Sequence, residues 1–433
     1  MNYILFYKNS DGTARTYNPS TEEFKEMQMT DVYKCKKRFL LLRNYECSDE
    51  GLEKFNDDFI RWVNEIKNND IFKFDYLKYP SHEGVCIAFF KKLCYGKYED
   101  MEDIDNIEYE WIRKCNNAGL TYCEKGRHKD CHGYDYKSQY PSILADENFH
   151  IPTKRGVEKT ITELTYPKIE TGFYKVKISC NNKNFNKAFA YSKDHVYTNT
   201  SLMFAFKHQK EFNVNIQLST RPNNCYTYGF LTTKANPTGV IKCSHVFHKW
   251  YNYLFELKQA FPKNGLVKLM TSALWGRLAQ YNRLFVTDDE IFEKKLDICF
   301  EYNPKHQYYV RDFTYNHKKG VEVMELVNTK QPFKFNIARI KPFLLSKSRS
   351  LTGTIAMKYI DDVVRIHTDN VTFNKQHDDV IYETKAMKLV KENKTTGDIE
   401  WRGCGSFVNW TTGYKTLDND KKDVDELDDD NDI

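Results

Sequence analysis

The chain has 433 residues, 15% of them aromatic, which is enough material for several subdomains with buried cores. Its formal net charge of +5 combines an acidic tail of net charge −7, from residue 418 to 433, with a body of net charge +12 that favours a polyanionic partner. No run of 18 apolar residues is present and the apolar start is too short for a signal peptide, which excludes a membrane-spanning protein and predicts a soluble, intracellular one, in the cytoplasm or the nucleus.

The N-terminal part of the chain begins with a predicted strand and hairpin turn at 3–12 and continues with a predicted helix at 49–68. Farther on, four residues of metal-ligating types lie close together: Cys123, His128, Cys131 and His132. Their spacing is not a usual zinc pattern, and the Glu-Lys-Gly-Arg between them is typical of a hairpin tip. We predict a hairpin there, with a zinc site as the alternative. The cysteines follow no disulfide-scaffold spacing and are expected to be reduced.

Residues 133–142 read GYDYKSQYPS, an aromatic strand followed by a polar turn and a proline. Asp135 stands near the end of that strand, where a carboxylate can hold a divalent metal that organises a triphosphate. An ordinary strand and turn is the alternative, because aspartate, serine and proline all favour turns.

Residues 244–277 predict two antiparallel helices joined by the FPKNG turn at 261–265. Trp275, beside the small Gly276, offers a face for a base pair. Three lysines can line one side of this hairpin, where positive charge suits a triphosphate: Lys258, Lys263 and Lys268. Lysines that merely extend from an amphipathic helix into solvent are the alternative.

The segment at 282–335 contains short apolar runs between turn residues, which predict strands and turns. A helix is predicted at 342–359, with a proline suited to its first turn. It is followed at 363–373 by VVRIHTDNVTF, two apolar arms around a polar tip that includes His367 and Asp369. A hairpin tip of this composition is common by itself.

In order and spacing, these three segments resemble motifs A, B and C of the family B DNA polymerases. Those motifs read D-x-x-S-L-Y-P-S, K-x-x-x-N-S-x-Y-G and Y-x-D-T-D-S. Asp135 matches the aspartate of motif A, Lys268 matches the lysine of motif B, and Asp369 matches the second aspartate of motif C. The chain departs from the motifs at seven positions: Gln139, Ser272, Ala273, Trp275, Arg365, His367 and Asn370.

A fourth segment, at 113–121, is similar to the Tyr-x-Gly-Gly/Ala stretch that leads into motif A in this family and touches single-stranded template. Ala118 and Gly119 match it, and Asn116 replaces the tyrosine. The resemblance covers roughly residues 110–380.

The resemblance implies an α+β right-hand fold, with a palm of antiparallel sheet and helices, helical-hairpin fingers and a short thumb. It predicts seven segments: an N-terminal cap or degenerate exonuclease-like region (1–112), palm with motif A and room for a first insertion (113–240), fingers with motif B (241–281), an insertion between motifs B and C (282–335), palm with motif C (336–380), a reduced thumb (381–416) and a disordered acidic tail (417–433). The insertion resembles one of the terminal-protein-region insertions of the protein-primed branch, which encircles template; a decorative surface loop is the alternative.

By resemblance, Asp135 and Asp369 would be the catalytic ligands of two Mg²⁺ ions, or of Mn²⁺, with the Tyr136 carbonyl completing one shell. Tyr140 would pack under the sugar and select deoxynucleotides, and Ser138 would orient Tyr140 or a phosphate. The triphosphate would be neutralised by lysines, above all by the first of these three: Lys268, Lys258 and Lys263. Contacts with DNA would come from six residues: Trp275, Gly276, Ala118, Gly119, Arg349 and Thr368.

The implied function is a template-directed DNA polymerase that adds deoxynucleotides to a primer 3′-hydroxyl by two-metal phosphoryl transfer, in a virus or a mobile element. Its partners would be template-primer DNA, deoxynucleoside triphosphates and either a terminal protein primer or a processivity partner, with no membrane. No Asp-x-Glu lies on an apolar strand before residue 98, so no proofreading exonuclease is predicted.

Three features favour an alternative, a catalytically degenerate polymerase-like subunit that binds DNA during replication: His367, the missing nuclease and the small thumb. His367 removes one negative charge from motif C, and no Lys-x-Tyr segment, which grips the primer terminus in this family, follows residue 370. A metal-dependent nuclease could use the same carboxylates, but the triphosphate lysine Lys268 argues against it.

Overall fold

The structure is a computed structural model of the chain and describes residues 3–34, 38–42, 45–69, 74–79, 82–94, 101–115, 118–235, 237–261, 265–277, 279–316, 320–380, 383 and 387–415. Lys263, Asn116 and the acidic tail at 417–433 lie outside these residues.

The strands, in chain order, are β1 (Tyr3–Lys8), β2 (Thr13–Asn18), β3 (Glu23–Gln28), β4 (Arg38–Leu41), β5 (Thr121–Cys123), β6 (Gly126–Lys137), β7 (His150–Pro152), β8 (Val157–Lys159), β9 (Thr171–Ser179), β10 (Val196–Thr198), β11 (Asn215–Leu218), β12 (Cys225–Gly229), β13 (Val240–Lys242), β14 (Arg283–Val286), β15 (Ile298–Cys299), β16 (Tyr308–Asn316), β17 (Val321–Asn328), β18 (Val363–His367), β19 (Asn370–Phe373), β20 (Lys388–Lys391), β21 (Gly397–Gly403) and β22 (Ser406–Asn409).

The α-helices are α1 (Met29–Lys34), α2 (Asp49–Asn68), α3 (His82–Cys94), α4 (Asn106–Lys114), α5 (Gln139–Ala145), α6 (Lys183–Ala188), α7 (Asn199–Lys207), α8 (Gln209–Phe212), α9 (Ser244–Ala260), α10 (Gly265–Arg277), α11 (Asp288–Glu293) and α12 (Lys341–Lys358). The predicted helices at 49–68, 244–277 and 342–359 are therefore confirmed to within a residue or two, apart from the positions that the structure leaves undescribed.

The chain divides into two compact units. Unit 1 comprises Met1–Lys92, Tyr253–Arg277 and Tyr281–Pro332, and unit 2 comprises Leu93–Asn252, Leu278–Gln280 and Phe333–Ile433. Residues 93–112, grouped by sequence with the N-terminal block, thus fall in unit 2. The boundary between Asn252 and Tyr253 lies inside α9 and divides the predicted fingers segment.

Unit 1 contains two four-stranded sheets. The N-terminal sheet has the order β3-β2-β1-β4, and α2 packs on it through Phe59, whose ring lies 5.0 Å from that of Tyr3. The second sheet, β14-β17-β16-β15, forms around Val286, Val310 and Leu326, so the predicted insertion is built of strands, as its apolar runs indicate. Among the described residues, no helix combines the length and the apolarity that crossing a bilayer requires.

Unit 2 is centred on a seven-stranded antiparallel sheet of order β22-β21-β6-β19-β18-β5, in which β20 also pairs with β6. Residues alternate between the two faces of a strand, and Tyr136, Ile366 and Val371 lie in a core that also includes Ile355 and Ala356 of α12. The opposite face, called here the polar face, carries the side chains that alternate with these, among them those of Asp135 and Asn370. The core also contains residues of a second sheet, β10-β9-β12-β8 with β11 beside β9.

The described residues of the predicted thumb extend this same sheet. Strand β20 pairs with the 134–137 part of β6, and β21 pairs with its 126–131 part, since β6 is long enough to accommodate both. Strands β20, β21 and β22 of this segment thus continue the sheet that carries Asp135.

Candidate active site

The motif A aspartate lies on β6, and the motif C aspartate lies in the turn between β18 and β19, of which β19 is the neighbour of β6. Asp135 is opposite Asn370 in the pairing of β6 with β19, and Asp369 is the residue directly before Asn370. The backbone N–H of Tyr136 donates to the carbonyl oxygen of Asp369 at 3.0 Å. The sheet therefore brings together two carboxylate-bearing positions that are 234 residues apart in the chain.

The tip of the motif C hairpin is held in an uncommon backbone conformation. Thr368 has a φ of 54°, in the left-handed region that a β-branched residue rarely adopts. Its N–H donates to the Leu120 carbonyl at 2.8 Å, and its carbonyl accepts from the Thr352 hydroxyl at 2.8 Å. Its own hydroxyl lies 2.8 Å from Asp369 Oδ1. Hydrogen bonds on both sides of the peptide thus stabilise the tip that presents Asp369.

Gly119 is part of this arrangement. A Cβ atom at Gly119 would lie 2.7 Å from Cγ2 of Thr368, closer than side-chain carbons normally approach. The glycine predicted to contact template therefore has a structural role as well, since it leaves room for the methyl group at the motif C tip.

Burial dominates the electrostatics of Asp369. It raises the pKa of this carboxyl group, the hydrogen bond from Thr368 lowers it, and the negative charge of Glu392 raises it further. The net effect is a pKa above the ordinary value. Burial therefore disfavours the ionised form of Asp369, as expected of a carboxylate that binds a cation.

Glu392 and Lys394 belong to the site and were missed by the sequence analysis. Glu392 accepts a hydrogen bond from the Asn370 side-chain amide at 2.9 Å and pairs with Lys394 at 3.0 Å. Burial alone would lower the pKa of Lys394, but the hydrogen bond with Glu392 and the charges of Glu392 and Asp135 raise it. The side chain of Lys394 therefore lies within electrostatic reach of the motif A aspartate.

A close approach of backbone segments places these two residues. A Cβ atom at Gly133 would lie 1.7 Å from Oγ1 of Thr395, so only glycine allows the 392–396 segment to pack on β6. The sequence analysis searched this region for a Lys-x-Tyr segment, and Lys394-Thr395-Thr396 does not satisfy that pattern. No local signal at 388–396 distinguishes Lys394 from its neighbouring lysines.

The turn after motif A leads from β6 into α5. Ser138 precedes the helix in a left-handed conformation with a φ of 56°, and Tyr140 lies half-buried in the first turn. Gln139, which stands where the family motif has leucine, is buried at 1% exposure and is hydrogen-bonded to the hydroxyl groups of Ser348 and Thr352. Polar partners on α12 thus explain a polar residue at an apolar motif position.

Two further predicted residues have defined surroundings in unit 2. Arg349 on α12 is buried, its side chain donates to the Ala118 carbonyl, and burial lowers its pKa. Arg349 therefore fixes the segment that precedes motif A, and its exposure is small for a phosphate contact. His367 is half-buried at the end of β18, opposite Thr121 and Asn370.

The motif B residues lie in unit 1. Lys268 is exposed on α10, while Trp275 and Gly276 are half-buried near the end of that helix. Lys258 is half-buried on α9. These residues therefore occupy the two helices that the sequence predicts.

The described residues contain no group of three or more His, Cys, Asp and Glu side chains arranged to hold a metal ion, and Cys123, His128, Cys131 and His132 form no such group. Cys123 ends β5 and the other three residues lie on β6, but β5 pairs with β18 and β6 pairs with β19. The two strands are not neighbours in the sheet, so the hairpin predicted here is not formed. At the polar face, the available donors are carboxylate and carbonyl oxygens, the ligands of hard cations such as Mg²⁺ and Mn²⁺.

Comparison with known proteins gives a likeness of fold. No family model matches the chain, and no curated protein does. Phi29 DNA polymerase complexed with single-stranded DNA is similar with a TM-score of 0.52 and 12% identity, over 83% of this chain and 58% of that one. The orthorhombic crystal form of Phi29 DNA polymerase is similar with a TM-score of 0.50 and 11% identity, over 83% of this chain and 58% of that one. The complex of that polymerase with primer-template DNA is similar with a TM-score of 0.53 and 10% identity, over 92% of this chain and 70% of that one. The chain thus spans somewhat more than half the length of the first two, and its fold is similar to that of a DNA polymerase.

Proposed function

We propose that this chain is a template-directed DNA polymerase that extends a primer 3′-hydroxyl with deoxynucleotides. The observation that carries the proposal is the pairing of β6 with β19, which brings Asp135 close to the hairpin turn that contains Asp369, in a chain with a polymerase-like fold. Phi29 DNA polymerase has been solved with single-stranded and with primer-template DNA, which supports DNA as the partner of this chain too. The basic body of the chain fits such a polyanion.

We assign the metal ligands to Asp135, Asp369 and the backbone carbonyl of Tyr136. This oxygen-only set fits Mg²⁺, with Mn²⁺ as the alternative, and the pKa of Asp369, which burial raises, fits a carboxylate whose ionised form a cation would stabilise. When bound, two such ions supply the positive charge that stabilises the attacking and the leaving oxygen.

The chemistry is a displacement at the α-phosphorus of the incoming nucleotide. The primer oxygen forms a bond to that phosphorus, the bond to the bridging oxygen breaks, pyrophosphate leaves, and the hydroxyl proton passes to solvent. Positive side chains offset the growing negative charge, and we assign this role to Lys268 at the triphosphate and to Lys394 beside Asp135. Lys258 and Lys263 are second candidates at the triphosphate.

The remaining assignments concern recognition. Tyr140 packs under the sugar of the incoming nucleotide and excludes a 2′-hydroxyl, and Ser138 orients it. Trp275 and Gly276 contact the nascent base pair. Thr368, Ala118 and Gly119 lie nearest the DNA at the motif C tip.

We also propose that the enzyme replicates a viral or mobile-element genome, with a terminal protein as primer or with a processivity partner. The four-stranded insertion between motifs B and C supports this assignment. An insertion at this point of the chain resembles a terminal-protein-region insertion of the protein-primed branch.

The deciding experiment is Mg²⁺-dependent incorporation of deoxynucleotides on primed DNA, with Asp369→Asn beside the wild type. Asp378→Asn, an exposed aspartate, is the matched control. We expect extension by the wild type and the control and none by Asp369→Asn. A wild type that binds DNA in a salt-sensitive manner without extending the primer would move the assignment to the degenerate DNA-binding subunit that His367 favours.

A further inference from the structure

A chain of hydrogen bonds through α12 links the motif A turn to the motif C tip. Gln139 Nε2 donates to the Thr352 hydroxyl at 3.0 Å, and the Thr352 hydroxyl donates to the Thr368 carbonyl at 2.8 Å. The Ser348 hydroxyl donates to Oε1 of the same Gln139 amide. Gln139, Ser348 and Thr352 are each exposed by 2% or less, so water does not compete for these bonds.

The direction of the bonds carries the argument. An amide nitrogen can only donate, so Gln139 leaves the single hydroxyl proton of Thr352 free for the Thr368 carbonyl. The Ser348 hydroxyl donates to the amide oxygen, whereas the bond to Thr352 comes from the amide nitrogen. The Gln139 side chain thus makes the Thr352 hydroxyl an acceptor on one side and leaves it a donor to the Thr368 carbonyl on the other.

The tip needs such support. Thr368 adopts a left-handed conformation that costs a β-branched residue energy, and strained conformations persist only where their surroundings hold them. Asp369 follows directly, and its side chain accepts from the Thr368 hydroxyl. Any rotation of the 368–369 peptide would therefore move the carboxylate of Asp369.

We propose that Gln139 and Thr352 are positioning residues, which hold the Asp369 carboxylate in register with the motif A turn through the Thr368 carbonyl. This inference rests on the proposed function for its catalytic consequence. Gln139, a departure from the motif leucine, is on this basis a functional replacement that couples two motifs across α12.

The test compares three hydroxyl variants on the same helix. Thr352→Val preserves shape and removes the hydroxyl, Thr352→Ser keeps the hydroxyl, and Ser348→Ala removes a buried hydroxyl of the network without touching the bond to Thr368. Gln139→Leu changes the motif A end of the hydrogen-bond chain and restores the leucine of the motif. It is the second variant to be measured if Thr352→Val fails to fold.

Two readouts are used with the full chain. The first is amide hydrogen exchange of the peptide that spans 363–373, measured by mass spectrometry without metal or DNA. The second is the Mg²⁺ concentration at half-maximal primer extension. We expect Thr352→Val to accelerate exchange at the tip and to raise the Mg²⁺ requirement by about tenfold, as removal of an outer-shell partner does. Gln139→Leu should shift both readouts in the same direction.

Thr352→Ser and Ser348→Ala should stay within about twofold of the wild type in both readouts, since each retains the hydroxyl that bonds to Thr368. Equal effects of Thr352→Val and Ser348→Ala would overturn the inference, because the network would then contribute only to general stability. A wild type without extension would refute the proposed function, and hydrogen exchange alone would then decide whether Thr352 positions the tip.

Discussion

The backbone N–H of Tyr136 donates to the carbonyl oxygen of Asp369, and this one bond of 3.0 Å ties the motif A strand to the motif C tip. The two catalytic candidates are thus placed by the backbone of β6 and the β18–β19 hairpin. Replacing either carboxylate should therefore remove function without removing the fold, which the first prediction uses.

Asp369→Asn should abolish activity and preserve stability. The pKa of Asp369 is raised in the folded protein, so the folded state favours its protonated form; the resulting stability is present at low pH and is lost as the pH rises through the folded pKa. At neutral pH the ionised group opposes folding, and the neutral amide of the same shape does not. We expect primer extension to fall at least about a hundredfold, and the melting temperature in EDTA to stay equal or to rise. A clear drop in melting temperature would contradict this account of the site.

Gly119 and Thr368 should show strong coupling. Gly119→Ala introduces a Cβ atom 2.7 Å from Cγ2 of Thr368, and the next nearest atom of that residue is 3.5 Å away. Thr368→Ser removes that methyl group and keeps the hydroxyl, so it should restore most of the stability and extension rate that Gly119→Ala removes. The double-mutant cycle measures this, with a coupling of about 1–3 kcal/mol expected. Additive effects would show that Gly119 serves DNA contact alone.

Lys394 should matter more than its neighbouring lysines. Lys394→Ala removes the cation that lies near Asp135 and Glu392, and it leaves Glu392 without its ion pair. We expect the extension rate to fall about tenfold to a hundredfold, measured at saturating nucleotide. Lys391→Ala removes an exposed lysine three residues earlier and is the matched control. Comparable effects of the two variants would remove Lys394 from the site.

The buried pair of Glu108 and Arg339 should dominate the stability of unit 2. Both side chains are fully buried, and Arg339 donates to the two carboxylate oxygens at 2.7 and 2.9 Å, while Tyr228 donates at 2.8 Å. Arg339→Met leaves a buried carboxylate without its partner and should cost about 3–5 kcal/mol in urea unfolding. Arg113→Ala, which breaks a largely exposed pair with Glu110, should cost less than about 1 kcal/mol. A small effect of Arg339→Met would show that Tyr228 and water compensate the carboxylate.

His208 should make stability fall on mild acidification. Burial lowers its pKa and the hydrogen bond with Glu211 raises it, with a folded value below the ordinary one. The unfolded state therefore binds the proton first. The stability that is present above about pH 6.5, the pKa of an unfolded histidine, is lost as the pH falls from there through the lower pKa of the folded state. His208→Phe keeps a ring beside Phe204 and removes the titration, so the melting temperature should depend less on pH between about pH 7 and pH 5.5. His245→Gln, at an exposed position, is the matched control variant.

Several parts of the molecule could be predicted because their signals are local. Helical periodicity and a proline at the first turn identify α12, alternating apolar residues around a polar tip identify the β18–β19 hairpin, and the order of three motifs selects Asp135 and Asp369 as partners. The place of the strands after residue 387 in the sheet could not be predicted, for a local reason as well. Strands at 388–409 are visible in sequence, but nothing in them shows that β6 is their neighbour.

The sequence by itself determined the helices at 49–68 and 342–359, the hairpin at 363–373 and the order of the three motifs, since periodicity and turn chemistry act over a few residues. Only the tertiary structure decided that Lys394 lies near Asp135, that Gly119 accommodates Thr368, and that Gln139 bonds to Thr352 across 213 residues. These are contacts between side chains far apart in the chain. They depend on how α12 and the 392–396 segment pack against β6, and no local pattern encodes that packing.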